Sequence, residues 1–146
     1  MTGEIDRLAR IVVDAAFHIH EDLGPGMLES AYEPILFEKL LAQGLKVDRQ
    51  LPVDIEYSGI RVEKAFKLDL LAEDILVVEL KAVETMLPVY GRQVLTYLKL
   101  MNLPLGLLIN FGAPLIKQGI KRVANNHDDL ASLRLGVRQT AQESAE

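Results

Sequence analysis

Asp74-Ile75-Leu76-Val77-Val78-Glu79-Leu80-Lys81 decides how this chain is to be read. Its Ile, Leu and Val residues are apolar on both faces, the pattern of a strand covered from two sides. It nevertheless ends on Glu79 and Lys81, two residues apart and so on one face. A carboxylate and an ammonium in a dry strand are costly unless they are paired or bound to something. Asp69 lies ten residues before Glu79, near the end of a second apolar run, Ala65-Phe66-Lys67-Leu68-Asp69-Leu70-Leu71. Two acids and a lysine meeting at one point outline a divalent-metal site with a cation beside it.

On both sides of this strand the periodicity changes. Ile5, Leu8, Ile11, Val12, Ala15, Ala16, Ile19 and Leu23 have helix spacing, which predicts a helix over residues 4–23, stopped by Gly24-Pro25-Gly26. A second helical pattern runs from Met27 to Gln43, with Gly44 placed to cap it and Pro34 placed to kink it or delay its start. Val47–Tyr57 and Ile60–Leu71 read as strands joined at Ser58-Gly59, a hairpin signal. Glu73-Asp74 turns the chain into the central strand, Ile75–Ala82. Pro88–Met101 returns to helix spacing and ends at Asn102-Leu103-Pro104. Leu105–Phe111 is another apolar strand, Gly112-Ala113-Pro114 turns, and Leu115–Val123 alternates as an edge strand. A strand-helix-strand step inside such an order favours a mixed sheet with helices packed on it, an α/β layered domain.

At 146 residues the chain is expected to form one domain, residues 1–125, with a polar C-terminal tail over 126–146. Hydrophobic residues make up 49% and charged residues 25%, an ordinary globular balance. No apolar stretch is as long as a membrane span, so no membrane partner is expected. There are no cysteines, which excludes disulfides, zinc-thiolate sites and thiol catalysis and fits a cytoplasmic location. The net charge of -5 argues against a broad basic surface for nucleic acid, so such a function would need a local basic patch or a metal. The many leucines fit a homodimer that hides some of them.

The metal reading depends on register. If residue 69 falls opposite residue 79, both carboxylates share a face; a slip of one residue would separate them. Given that register, Asp69, Glu79 and the backbone carbonyl of Leu80 offer hard oxygen ligands suited to Mg²⁺ or Mn²⁺. Lys81 would then orient a metal-bound water or stabilise charge developing on a phosphate.

The run Asp69…Glu79-Leu80-Lys81 resembles the D…(D/E)-x-K signature of the PD-(D/E)XK nuclease superfamily. Gly26-Met27-Leu28-Glu29-Ser30-Ala31-Tyr32 is similar to the motif that names the GxxExxY family, assigned to that superfamily. Gln93 and Tyr97 resemble the Q-xxx-Y element of its exonuclease-like branch. The resemblance covers about Ile5 to Val123, with two departures: Leu68, not proline, precedes Asp69, and Pro34 interrupts the helix that carries Glu29. It implies a restriction-endonuclease-like α/β fold with a mixed central sheet flanked by helices. It also implies metal-assisted hydrolysis of a phosphodiester in nucleic acid, with DNA the expected substrate. Asp69 and Glu79 would bind the metal, Lys81 would assist the attacking water, Glu29 would complete the acidic cluster, and Gln93 would contact phosphate or metal-bound water with Tyr97 behind it.

Each of these residues also has a plain structural reading. Glu79 and Lys81 read equally as an ion pair at a strand end, and Glu29 is favourable to a helix dipole wherever it sits in a first turn. Tyr32 and Tyr97 are read as core aromatics with tethered hydroxyls, and Gln93 can simply face solvent. His18 and His20 are two apart on a helix and share no face, so they read as surface or half-buried histidines; His127 reads as solvated. Two other classes therefore stay open: a nuclease-fold binding or scaffold module that cuts nothing, and a hydrolase of small phosphate esters.

Overall fold

Leu8, Val12, Ala16 and Ile19 recur at three- and four-residue intervals and form the buried face of the first helix, α1 (Thr2–Leu23). The computed structural model describes residues 2–126 and 136–139. After Gly24, which takes φ +75, the second helix, α2 (Glu29–Ala42), begins at Glu29, two residues later than its apolar pattern suggests. Pro34 lies inside α2, in its second turn, where it has no N–H to offer the preceding turn.

Strands β1 (Val47–Tyr57) and β2 (Ile60–Ala72) form the expected hairpin, with Ser58 at φ +52 and Gly59 at φ +79, the two positive values of a tight hairpin turn. The Glu73-Asp74 turn repeats that conformation, at φ +52 and +62, and leads into β3 (Leu76–Lys81). Helix α3 (Pro88–Met101) ends on Asn102 in the left-handed conformation, and β4 (Leu105–Asn110) follows.

One expectation needs correction here. The predicted edge strand Leu115–Val123 is instead a 3₁₀ turn, Ile116–Gly119, followed by β5 (Ile120–Ala124). A further strand, β6 (Gly136–Gln139), lies antiparallel to β1. Its pairing uses backbone groups, so a polar sequence is no bar to it. Residues 127–135 and 140–146, His127 among them, lie outside the described residues.

The described strands form one mixed sheet in the order β5-β4-β3-β2-β1-β6. Only β3 and β4 are parallel among the described pairs, and α3 makes the crossover between them. Helices α1 and α2 cover one face, where Leu36, Leu40 and Ile19 meet Leu70, Val78 and Ile109. Helix α3 covers the other, where Val94 and Leu98 meet Leu68, Leu71 and Val77. The α3 side is packed closely: a Cβ on Gly106 would stand 2.6 Å from Val94 Cγ1.

One irregularity positions the site. Leu68 and Leu71 both face α3, whereas Leu70 and Ala72 face the other helices. Strict alternation is therefore broken once between them, beside Asp69. On the neighbouring strand Gln50 has φ +52, and it sits between the ladder pairs Arg49↔Leu70 and Leu51↔Leu68.

Candidate active site

The β2–β3 ladder pairs Ala72 with Leu76, Leu71 with Val77 and Leu70 with Val78. Continued by one residue, this register sets Asp69 opposite Glu79. There the two acids take over from the backbone ladder. The Asp69 N–H donates to Glu79 Oε2 at 2.8 Å, and the Leu80 N–H donates to Asp69 Oδ2, also at 2.8 Å. Each carboxylate is thus fixed by the other's strand, Asp69 on β2 and Glu79 on β3, with Lys81 two residues after Glu79.

Burial sets the electrostatics. Glu79 is 7% exposed, and its carboxyl is held well above the usual range, first by desolvation and then by the Asp69 charge. Asp69 is raised mainly by burial, with Glu33 adding to it and the Leu80 N–H, Gln50 and Lys81 opposing. Glu29, in the first turn of α2, is raised by burial and by the Asp69 charge. Lys81 lowers all three, yet each stays raised, because burial is the largest cause in every case and the neighbouring acids add to it.

The ammonium of Lys81 lies 4.5 Å from the centroid of the Tyr90 ring on α3, a cation–π contact. Gln93 is exposed on α3 and its amide meets the Tyr97 hydroxyl. Tyr97 is half-buried and stacks on Phe66 with centroids 4.2 Å apart; its phenol is raised by burial and then by the charges of Glu79 and Asp69. Asp69, Glu79, Lys81 and Glu29 therefore share one electrostatic neighbourhood, and Gln93 meets it through Tyr97.

A further set of polar residues, not singled out by the sequence pattern, supports the cluster. Glu33, one helical turn after Glu29, is 5% exposed and accepts hydrogen bonds from Arg49 Nε at 2.8 Å and from the Gln50 amide. The same Gln50 nitrogen lies 3.4 Å from Asp69 Oδ1. Beyond Lys81, Asn110 pairs opposite it on β4 and clasps the N–H and carbonyl of Val83, both at 2.9 Å. The four-residue spacing of Glu29 and Glu33 was the available signal for one shared helix face, and Asn110 was marked by being the one polar residue in an apolar strand. His20 is another surprise: it is buried, with Nε2 2.8 Å from the Ala113 carbonyl, and ties α1 to the turn after β4.

A family model described as the PD-(D/E)XK nuclease superfamily matches residues 6–123. The chain belongs to the PD-(D/E)XK nuclease superfamily. Its mixed sheet, flanked by α1 and α2 on one side and α3 on the other, is the restriction-endonuclease-like architecture of that superfamily. No curated protein and no solved structure matches the chain.

PD-(D/E)XK nucleases are in general dependent on a divalent metal, and the donor set here suits a hard cation. Among the described residues no three His, Cys, Asp or Glu side chains form a group able to hold an ion by themselves. An ion would therefore rest on the two strand carboxylates, backbone oxygen and water, the kind of partial cage that Mg²⁺ accepts. The raised carboxyls are the physical sign of fit: burial raises both, neighbouring acids add to it, and a cation would compensate the lost solvation as well as the repulsion.

Proposed function

We propose that this chain is a divalent-metal-dependent nuclease that hydrolyses phosphodiester bonds, taking Mg²⁺ or Mn²⁺ and acting on DNA. The observation that carries the reading is the reciprocal pair of 2.8 Å hydrogen bonds that fixes Asp69 and Glu79 at one strand end beside Lys81. Asp69, Glu79 and the Leu80 carbonyl would hold the ion. The bound ion supplies a water of lowered pKa and a Lewis acid for a phosphoryl oxygen.

The chain's own groups do the rest. The Leu80 N–H and Asp69 N–H keep the two carboxylates aimed, so little reorganisation is needed when substrate arrives. Lys81, steadied by the Tyr90 ring, orients the attacking water and faces the charge that grows on the phosphate. Glu29 extends the acidic cluster through water. Gln93, tethered to Tyr97, contacts a phosphate oxygen or a water on the ion. We also assign the chain to the GxxExxY group, because Tyr32 gives that spacing a physical purpose. Its hydroxyl donates to the Gly24 carbonyl and accepts the Met27 N–H at 3.1 Å, which ties down the loop that delivers Glu29 as the first residue of α2.

A second reading, a nuclease-fold binding module that cuts nothing, draws support from the lack of three gathered side-chain ligands among the described residues. The two readings part in one assay. Wild type and Lys81→Ala are incubated with single-stranded and duplex DNA and RNA in Mn²⁺. Cleavage by wild type that falls about a hundredfold or more in the variant supports the enzyme. Equal inertness of both on all four substrates overturns it.

A further inference from the structure

Between the start of α2 and the irregular step in β1 lies an open cavity of about 520 Å³, lined by Leu28, Glu29, Ser30, Glu33, Arg49 and Gln50. It shares two walls with the metal-site cluster. Glu29 is electrostatically coupled to Asp69 and Lys81, and the Gln50 amide bridges Glu33 to within 3.4 Å of Asp69.

The lining is chemically specific. Two carboxylates face one guanidinium, so the cavity is net negative and is a poor seat for a second phosphate. A neutral ring with donors and acceptors on its edge fits better. Glu29 and the remaining lone pairs of Glu33 accept; the Arg49 and Gln50 N–H groups that Glu33 does not take, and the Ser30 hydroxyl, donate. The Arg49 guanidinium is held by Glu33 at 2.8 Å and lies 5.9 Å from the centroid of the Phe37 ring, which steadies a planar surface at the wall. Leu28, 76% exposed, supplies an apolar lip. This combination of a flat cation, an apolar lip and convergent edge-directed polar groups is what a single nucleobase requires.

The step in the strand puts Gln50 at the cavity wall. Gln50 holds a left-handed backbone, φ +52, although it is not glycine, and its amide thereby lies between Glu33 and Asp69. We propose that this cavity receives one unpaired nucleobase of the strand being cut, adjacent to the scissile phosphodiester. The inference rests on the nuclease reading and narrows it. A base still paired in a duplex has its edge occupied and cannot enter, so the substrate class is single-stranded nucleic acid, overhangs and frayed ends.

The test uses the full chain as the Lys81→Ala variant with Mg²⁺, and fluorescent oligonucleotides of one sequence, single-stranded or as a blunt duplex. Anisotropy is expected to show single strands bound at least about tenfold more tightly, the scale of one base contact. Ser30→Trp, at an exposed position, fills the cavity mouth and leaves the Glu33–Arg49 pair in place. In the Lys81→Ala background it should erase the preference while the Mg²⁺-induced thermal shift persists. Equal affinity for both forms, or a preference that survives Ser30→Trp, overturns the cavity assignment. Cleavage by wild type in Mn²⁺ is scored separately. Cleavage without strand preference defeats the cavity alone; a Ser30-dependent preference without cleavage defeats the nuclease reading and leaves the base site standing; absence of both defeats both.

Discussion

Glu79 puts a carboxyl in the worst place for a charge, 7% exposed and opposite Asp69 on the neighbouring strand. Its folded carboxyl lies well above 4.5, so the native state holds a proton that the unfolded chain has already released. Stability from this group is present below the unfolded value and is lost as pH rises through the folded one. Asp69 and Glu29 shift in the same direction and widen the effect. The metal-free protein should therefore lose melting temperature as pH climbs above the ordinary carboxylate range. Mg²⁺ should offset that loss, since it binds only the deprotonated acids. Melting curves in chelator and in Mg²⁺ across that range check this, and parallel curves would refute it. Glu79→Gln keeps an oxygen for the Asp69 N–H while removing the charge. It should raise the melting temperature of the metal-free protein at neutral pH and abolish the response to Mg²⁺. These residues were legible in the sequence because charge is conspicuous inside an apolar strand. Glu33 and Gln50 were not, because an acid in a helix and an amide in a strand are ordinary until the fold brings them to Asp69.

Helix α2 starts where it does because Tyr32, fully buried and stacked on Phe111 at 4.4 Å, reaches back to Gly24 and Met27. Tyr32→Phe leaves the Gly24 carbonyl and the Met27 N–H without that partner. It should cost about 1–3 kcal/mol in urea unfolding. If the loop also aims Glu29, the same variant should weaken Mg²⁺ in a thermal titration; an unchanged Mg²⁺ response would reduce Tyr32 to a stability role. Helix α3 tests close packing instead. Gly106→Ala would set a methyl 2.6 Å from Val94 Cγ1, forcing α3 away from β4 at about 1–3 kcal/mol. Most elements were readable from period alone: the helix spacing of α1 and α3, the Ser58-Gly59 turn and the two apolar central strands. Boundaries failed where backbone geometry overrides pattern. The alternation of Leu115–Val123 hides a 3₁₀ turn, in which Gly119 sits so close to β4 that an added Cβ would clash with the Asn110 carbonyl. Strand β6 has four residues and no apolar run, so nothing in its composition announces it.

Across the whole molecule the parallel pair β3–β4 was implied by strand-helix-strand order, and it sets the polar ends of both strands, Lys81 and Asn110, side by side. No helix of the described residues is long and apolar enough to cross a membrane. The chain as a whole carries -5, and its site adds a local excess of carboxylates. A polyanion approaching such a surface meets repulsion from both, so affinity for nucleic acid must depend on the cation more steeply than on surface lysines. Saturation at ten times the dissociation constant stabilises the fold by about 1.4 kcal/mol, on the order of 3–6 °C in melting temperature for a domain of this size. Asp69→Asn should remove that shift. The same ion should switch binding on. Lys81→Ala protein is expected to hold a labelled single strand at least about tenfold more weakly in chelator than in Mg²⁺. If the ion rather than surface lysines receives the phosphates, log affinity in Mg²⁺ should fall with log salt at a slope of only about -1 to -2, where a basic-surface binder would be several times steeper. Anisotropy titrations at three salt concentrations measure both quantities. A steep slope, or binding indifferent to chelator, would mean that a basic surface rather than the carboxylate-bound ion receives the phosphates.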